Sequence, residues 1–125
     1  MEFKLDDSHK SYIKITVSGA LVKKRIVHAM KALITHPEYE VKHSLWDLTG
    51  AEQGTIDIHD IKEIIGFLRL YKPKQRNFAN KGAFLVSTDM NKALVNVYVT
   101  LSKMLPFKYK VYTRFENAVA YLSGK

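Results

Sequence analysis

HSLWDLTGAEQGTIDIHDIKEII (residues 43–65) decides the fold. Its first part concentrates Leu45, Trp46 and Leu48 and reads as a buried strand that ends at Trp46-Asp47-Leu48-Thr49. Gly50 and Gly54 flank a loop, and a helix is expected to open at Thr55 or Asp57. Ile58, Ile61, Ile65 and Leu68 then share one helical stripe, over a helix of residues 57–71 that stops near Lys72-Pro73. A buried strand leading into an amphipathic helix is the repeating unit of a parallel sheet.

Working outward, the same unit recurs on both sides. Upstream, Phe3 and Leu5 alternate with polar residues, as do Ile13, Ile15 and Val17, and the DDSHKS stretch between them suits a hairpin turn. Ser18-Gly19 closes the second strand. Residues 20–35 place Val22, Ile26, Ala29, Met30 and Leu33 on one helical face before His36-Pro37. Downstream, GAFLVS is an apolar strand of the kind found where both sheet faces are covered. Asp89 is the expected N-cap of a helix carrying Met90, Leu94, Val97, Leu101 and Leu105, which Pro106 ends. YKVYT forms a fifth strand. Thr113-x-x-Glu116 reads as a capping box for a last helix with Phe115, Ala118, Val119 and Leu122 inward. The order ββαβαβαβα predicts an α/β sandwich over 1–125 as one domain: a mostly parallel five-stranded sheet with an antiparallel edge strand.

Composition narrows the function classes. The 125 residues are 46% hydrophobic and 26% charged, an ordinary globular balance. The absence of cysteine excludes disulfides, thiol catalysis and thiolate metal sites, and fits a reducing compartment. Residues 1–10 show no basic-then-apolar leader, and no apolar run approaches the ~18 residues of a membrane span. A cytoplasmic protein, at most peripheral to a membrane, is the expectation. Lys and Arg total 20 against 12 Asp and Glu, a net charge of +8. That excess favours anionic partners in general. It is spread over Lys23-Lys24-Arg25, Lys72-Pro73-Lys74-Gln75-Arg76 and Lys108 with Lys110, so nucleic acid is not favoured.

The element order, WDLTG at the end of the third strand and LPFKYKVYTRFENAVAYL near the carboxyl end resemble the SpoIIAA-like proteins across essentially the whole chain. These are small relatives of the STAS (sulphate transporter and anti-sigma factor antagonist) fold, and the group is also similar to the lipid-carrying Sec14 (CRAL-TRIO) fold. In anti-sigma antagonists the third strand ends in Asp-Leu-Ser or similar, and a hydrophobic residue and Asp-Ser-Ser-Gly open the next helix, where a kinase phosphorylates a serine. Asp47-Leu48-Thr49 matches the first part and Ile56-Asp57 the start of the second. Ile58 and His59 then stand where the serines would be, and Asp60 where the glycine would be. The phospho-switch is therefore not carried over; Thr55 is the nearby hydroxyl, and an N-cap role explains it.

No P-loop, Gly-x-Gly-x-x-Gly or Gly-x-Ser-x-Gly motif is present. Asp57 and Asp60 suit the positive end of a helix dipole. Histidines 9, 28, 36, 43 and 59 are scattered without His-x-x-x-His spacing, so no metal site, cofactor or catalytic residue is assigned. In open α/β sheets ligands gather at the carboxyl ends of the strands. There Asp47, Thr49, Thr55, Asp57, His59, Ser87 and Asp89 form a candidate partner or ligand surface, and Ser87, Thr88, Thr113 and Arg114 are placed to hold a small anion. A second candidate arises from apolar residues off the core stripes. Val95 and Val99 lie ~100–140° from their helix's stripe at 100° per residue. With Phe67, Leu70, Lys92 and Lys103 they outline a membrane or homodimer patch, unless the core is broad enough to bury them. The expectation is a non-enzymatic STAS-like regulatory or binding module acting through protein contacts. The alternative is association with an anionic membrane surface, or binding of a lipid or small hydrophobic ligand.

Overall fold

Alternation in Ile13, Ile15 and Val17 points three β-branched side chains to one face of β2 (Tyr12–Ala20), and all three are buried. Around this strand the computed structural model, which describes residues 1–74, 78, 80–105 and 107–124, builds one five-stranded sheet in the order β1-β2-β3-β4-β5. β1 (Glu2–Asp6) pairs antiparallel with β2 at one edge; β3 (His43–Glu52), β4 (Asn80–Leu85) and β5 (Phe107–Tyr112) continue in parallel. Gln75, Arg76, Pro106 and the side chain of Met90, all used in the sequence reading, lie outside the described residues.

Strand order follows chain order, so right-handed crossovers put the three connecting helices on the same face. α1 (Lys23–Ile34), α2 (Ile58–Leu68) and α3 (Asp89–Leu101) contribute to one apolar cluster with Ile13, Ile15, Val17, Trp46 and Phe84. α4 (Phe115–Leu122) returns under the opposite face, where its Ala118 and Leu122 close on Tyr12, Leu45 and Ala83 of the sheet.

The structure corrects the sequence reading at several element ends. β3 does not stop at Thr49; it runs to Glu52 beside an equally extended β2, with Ser18, Gly19 and Ala20 opposite Gly50, Ala51 and Glu52. The ladder slips between Thr16 and Ser18, so β3 carries one extra residue there. The stretch read as a glycine loop is thus largely strand. Gly54 ends it for a steric reason, because a Cβ there would lie 2.0 Å from the carbonyl oxygen of Leu21. Thr88, not Asp89, caps α3 by accepting from Asn91 N–H at 3.1 Å. The capping box expected at Thr113 is not formed: Arg114 occupies the N-cap of α4 without a side-chain hydrogen bond.

The phase of α3 also differs. Its fully buried face is Asn91, Val95, Tyr98 and Ser102, while Leu94, Val97 and Leu101 lie half-buried beside it. Two polar residues on the inward face disguised it. Both are satisfied: Asn91 Nδ2 donates to Ala51 O at 3.0 Å and Ser102 Oγ to Val99 O at 3.0 Å. On α2, Ile64 is buried alongside Ile61, Ile65 and Leu68, and Ile58 is 56% exposed instead of joining the core.

Candidate functional site

The bulge in β3 brings part of the predicted surface together. Asp47 Oδ1 accepts from the Thr49 N–H at 3.0 Å and from Thr49 Oγ1 at 2.6 Å, closing a local turn at the irregularity. Its second oxygen lies 3.8 Å from Lys14 Nζ. Ser87 Oγ, at the end of β4, donates to Thr49 O at 3.3 Å. Asp47, Thr49 and Ser87 are therefore one hydrogen-bonded group that joins the bulge within β3 to the segment just after β4. Their bonds are directed at each other and at the backbone.

A second group occupies the start of α2. Asp57 accepts from Asp60 N–H at 2.9 Å, and Asp60 accepts from Asp57 N–H at 3.2 Å, a reciprocal capping box. The cap expected at either Thr55 or Asp57 thus falls on Asp57, and Thr55 is exposed on the connection before it. His59 Nε2 lies 2.9 Å from Glu63, which also pairs with Lys23 of α1. This Lys23 contact holds the Glu63 carboxyl below its ordinary range and raises Lys23. Among the described residues no hydrogen bond joins the two groups. Asp89 is exposed in the first turn of α3.

Chemically, the first group directs the Thr49 hydroxyl at the Asp47 carboxylate, and the second is a reciprocal cap. Asp47, Asp57 and Asp60 serve as turn acceptor and caps, and His59 makes an exposed contact with Glu63. Elsewhere, Asp7, His36 and Glu38 place ligand atoms within 4.8 Å of one another. His36 Nδ1 accepts from Glu38 N–H at 3.0 Å, which leaves its proton on Nε2, directed at Asp7 Oδ2 3.0 Å away. Lys42 closes the group on Glu38 at 2.8 Å. Both imidazole nitrogens are thus used in tying the β1–β2 turn to the segment after α1.

Sequence reasoning missed a groove on the outer surface of α2 and α3. Ile58, Asn96, Val97, Thr100 and Leu101 line an open depression of about 270 Å³. Ile58 projects into it from the first turn of α2, between Asp57 and His59, at the position where the sequence resemblance places a phospho-acceptor serine. The available signal was the apolar stripe of α3 that carries Val97 and Leu101, which the sequence reading placed in the core.

The predicted membrane or dimer patch is not assembled. Val95 is buried, and Phe67 and Val99 are half-buried against the main core. Leu70 is 77% exposed, and Lys92 and Lys103 are exposed on α3 and just after it. Among the described residues no helix is long and apolar enough to cross a membrane. Between the helical layer and the sheet, Val17, Trp46, Phe84 and Tyr98 help to line an apolar cavity of about 60 Å³. That is far below the ~300–1,000 Å³ of small-molecule pockets.

Comparison with known proteins bears on the fold. No family model matches the sequence, and no curated protein matches it. Among solved structures, an uncharacterised DUF3478-family protein from Shewanella loihica, described as having a SpoIIAA-like fold, superposes with a TM-score of 0.59. The match covers 97% of this chain and 92% of that one at 12% identity. The architecture is thus a SpoIIAA-like α/β fold, and the likeness extends no further than the fold.

Proposed function

We propose that this chain is a non-enzymatic binding module that acts through protein contacts at the start of α2 and the adjoining face of α3. One observation carries the reading: Ile58, a large β-branched residue, stands exposed on the first turn of α2 over a groove floored by Val97 and Leu101. Burying such a side chain against a partner is worth roughly 1.5–3 kcal/mol. Asp57 and His59 flank it and supply a polar rim of the kind interfaces use. The hydrogen-bonded acids around it support a fixed surface better than a reaction centre. A hydroxyl-based switch has no acceptor at this position, so contact would be governed by the partner's own state or concentration.

Photo-cross-linking tests this. With a benzophenone side chain at position 58, in the native host cell, a discrete adduct is expected that disappears when Leu101→Asp is added. The same probe at Thr16, exposed on the other side of the sheet, should not give that adduct. Identical adducts from both positions would contradict the proposal. The membrane-surface alternative has less to support it, since the apolar residues that suggested it are largely packed inward, and the cavity between the helices and the sheet is too small to carry a lipid.

A further inference from the structure

Charge is segregated along the chain. Residues 1–63 carry nine Lys and Arg against ten Asp and Glu, whereas residues 64–125 carry eleven against two. The sheet converts this into a spatial division, because β4, α3, β5 and α4 all come from the second half and lie together at one edge. Every ion pair among the described residues falls within the first 63 positions. The β5 edge is therefore a cationic pole whose lysines have no carboxylate partner among the described residues.

One concavity opens into that pole. Between the carboxyl end of α3 and the start of β5 lies a cleft of about 410 Å³. Phe78, Val99, Phe107 and Tyr109 give it an apolar, largely aromatic surface, and Lys103 and Lys108 stand along it. Phe78 meets Phe107 edge-on at 5.6 Å, and Phe107 lies 6.0 Å from Tyr109, so the rings form a continuous bed. The volume lies within the range of small-molecule pockets. A ligand here would meet apolar surface below and, beside it, lysines without a carboxylate partner among the described residues.

We infer that this cleft binds a free organic anion with an apolar body, such as a medium-chain or aromatic carboxylate. The body would lie on the phenyl rings, and the carboxylate would reach the ammonium groups of Lys103 and Lys108. A neutral apolar molecule leaves both cations unpaired, and a small inorganic anion leaves the aromatic bed uncovered; the combination selects an amphiphile. The site lies at the amino ends of β4 and β5, shares no lining residue with the Ile58 groove, and does not depend on the protein-contact reading.

The test uses the full chain and two fluorescent probes, anionic anilinonaphthalene sulfonate and neutral phenylnaphthylamine. Saturable one-to-one binding of the anionic probe is expected, displaced by monomeric dodecanoate and weakened by added salt. Lys103→Glu with Lys108→Glu should weaken that binding at least tenfold without lowering the melting temperature, while Lys92→Glu, further along α3, should leave it unchanged. The neutral probe should bind at least tenfold more weakly and ignore the double variant. Failure of the anionic probe to bind, equal binding of the neutral probe, or indifference to the double substitution would overturn the assignment. So would binding to anionic vesicles with no response to monomeric dodecanoate, which would make the pole a membrane surface.

Discussion

At Gly82 the backbone of β4 has no room for a methyl group: a Cβ there would sit 2.4 Å from the ring of Tyr109, which lies across the strand from β5. That ring packs 5.4 Å from Phe84 and 5.2 Å from Tyr98, so it cannot swing aside freely. Gly82→Ala should therefore cost about 1–3 kcal/mol in denaturant unfolding, as overpacking does; an unchanged midpoint would show that the ring yields. Tyr98 carries the opposite kind of strain. Its hydroxyl is buried without a hydrogen-bond partner among the described residues; the Tyr109 phenol is near enough to influence it but not in bonding geometry. Burial drives both phenols to titrate well above the ordinary range. Tyr98→Phe removes an unsatisfied polar group while keeping the ring, so stability should hold or rise by up to about 1 kcal/mol. A loss of similar size would reveal a partner for the hydroxyl. Neither feature was legible in the sequence, because a glycine within an apolar run and a tyrosine on a helix do not announce which ring faces which.

The elements themselves were readable wherever apolar spacing and local capping agreed. The start of α2 is such a case in part: the sequence placed it at Thr55 or Asp57 and set Asp57 and Asp60 against the helix dipole, and the structure puts the cap on Asp57 with both reciprocal bonds made. Asp57→Ala should destabilise by about 1 kcal/mol, whereas Thr55→Ala should change little, as thermal unfolding of the two variants would show. Legibility failed where long-range pairing decided the outcome. Gly50 and Ala51 carry weak strand signals, yet they pair with Ser18 and Gly19 because the bulge near Asp47 resets the register. On α3 the inward face includes Asn91 and Ser102, whose bonds to backbone carbonyls make burial tolerable and hide it from hydropathy. At the start of β3, burial and the neighbouring Lys81 hold His43 below its ordinary value of 6.5, and its Nδ1 accepts from Lys81 N–H at 3.1 Å. The folded state thus prefers the neutral ring, and the unfolded chain takes up a proton first as pH falls. Stability from this residue is complete above about pH 6.5 and declines below it toward the folded-state value. His43→Gln should flatten that acid limb in unfolding curves measured between pH 7 and 5; an unaltered slope would assign it to other groups.

For the whole molecule, monotonic strand order with right-handed crossovers makes the two sheet faces unequal: three helices on one, α4 alone on the other. The larger layer buries most of the apolar residues and turns the far sides of α2 and α3 outward, which is where Ile58, Val97 and Leu101 form their groove. The fold was legible because alternation and helical periodicity agreed along the chain. The contact surface was only partly legible: its polar members could be named, but Ile58 looked like core. The most direct test is the affinity of the cross-linked partner, once purified, for the wild-type chain and for Ile58→Asp, measured by calorimetry alongside the melting temperature of each. The account predicts at least tenfold weaker binding, about 1.4 kcal/mol, with the melting temperature unchanged. Equal affinity for both proteins would contradict it.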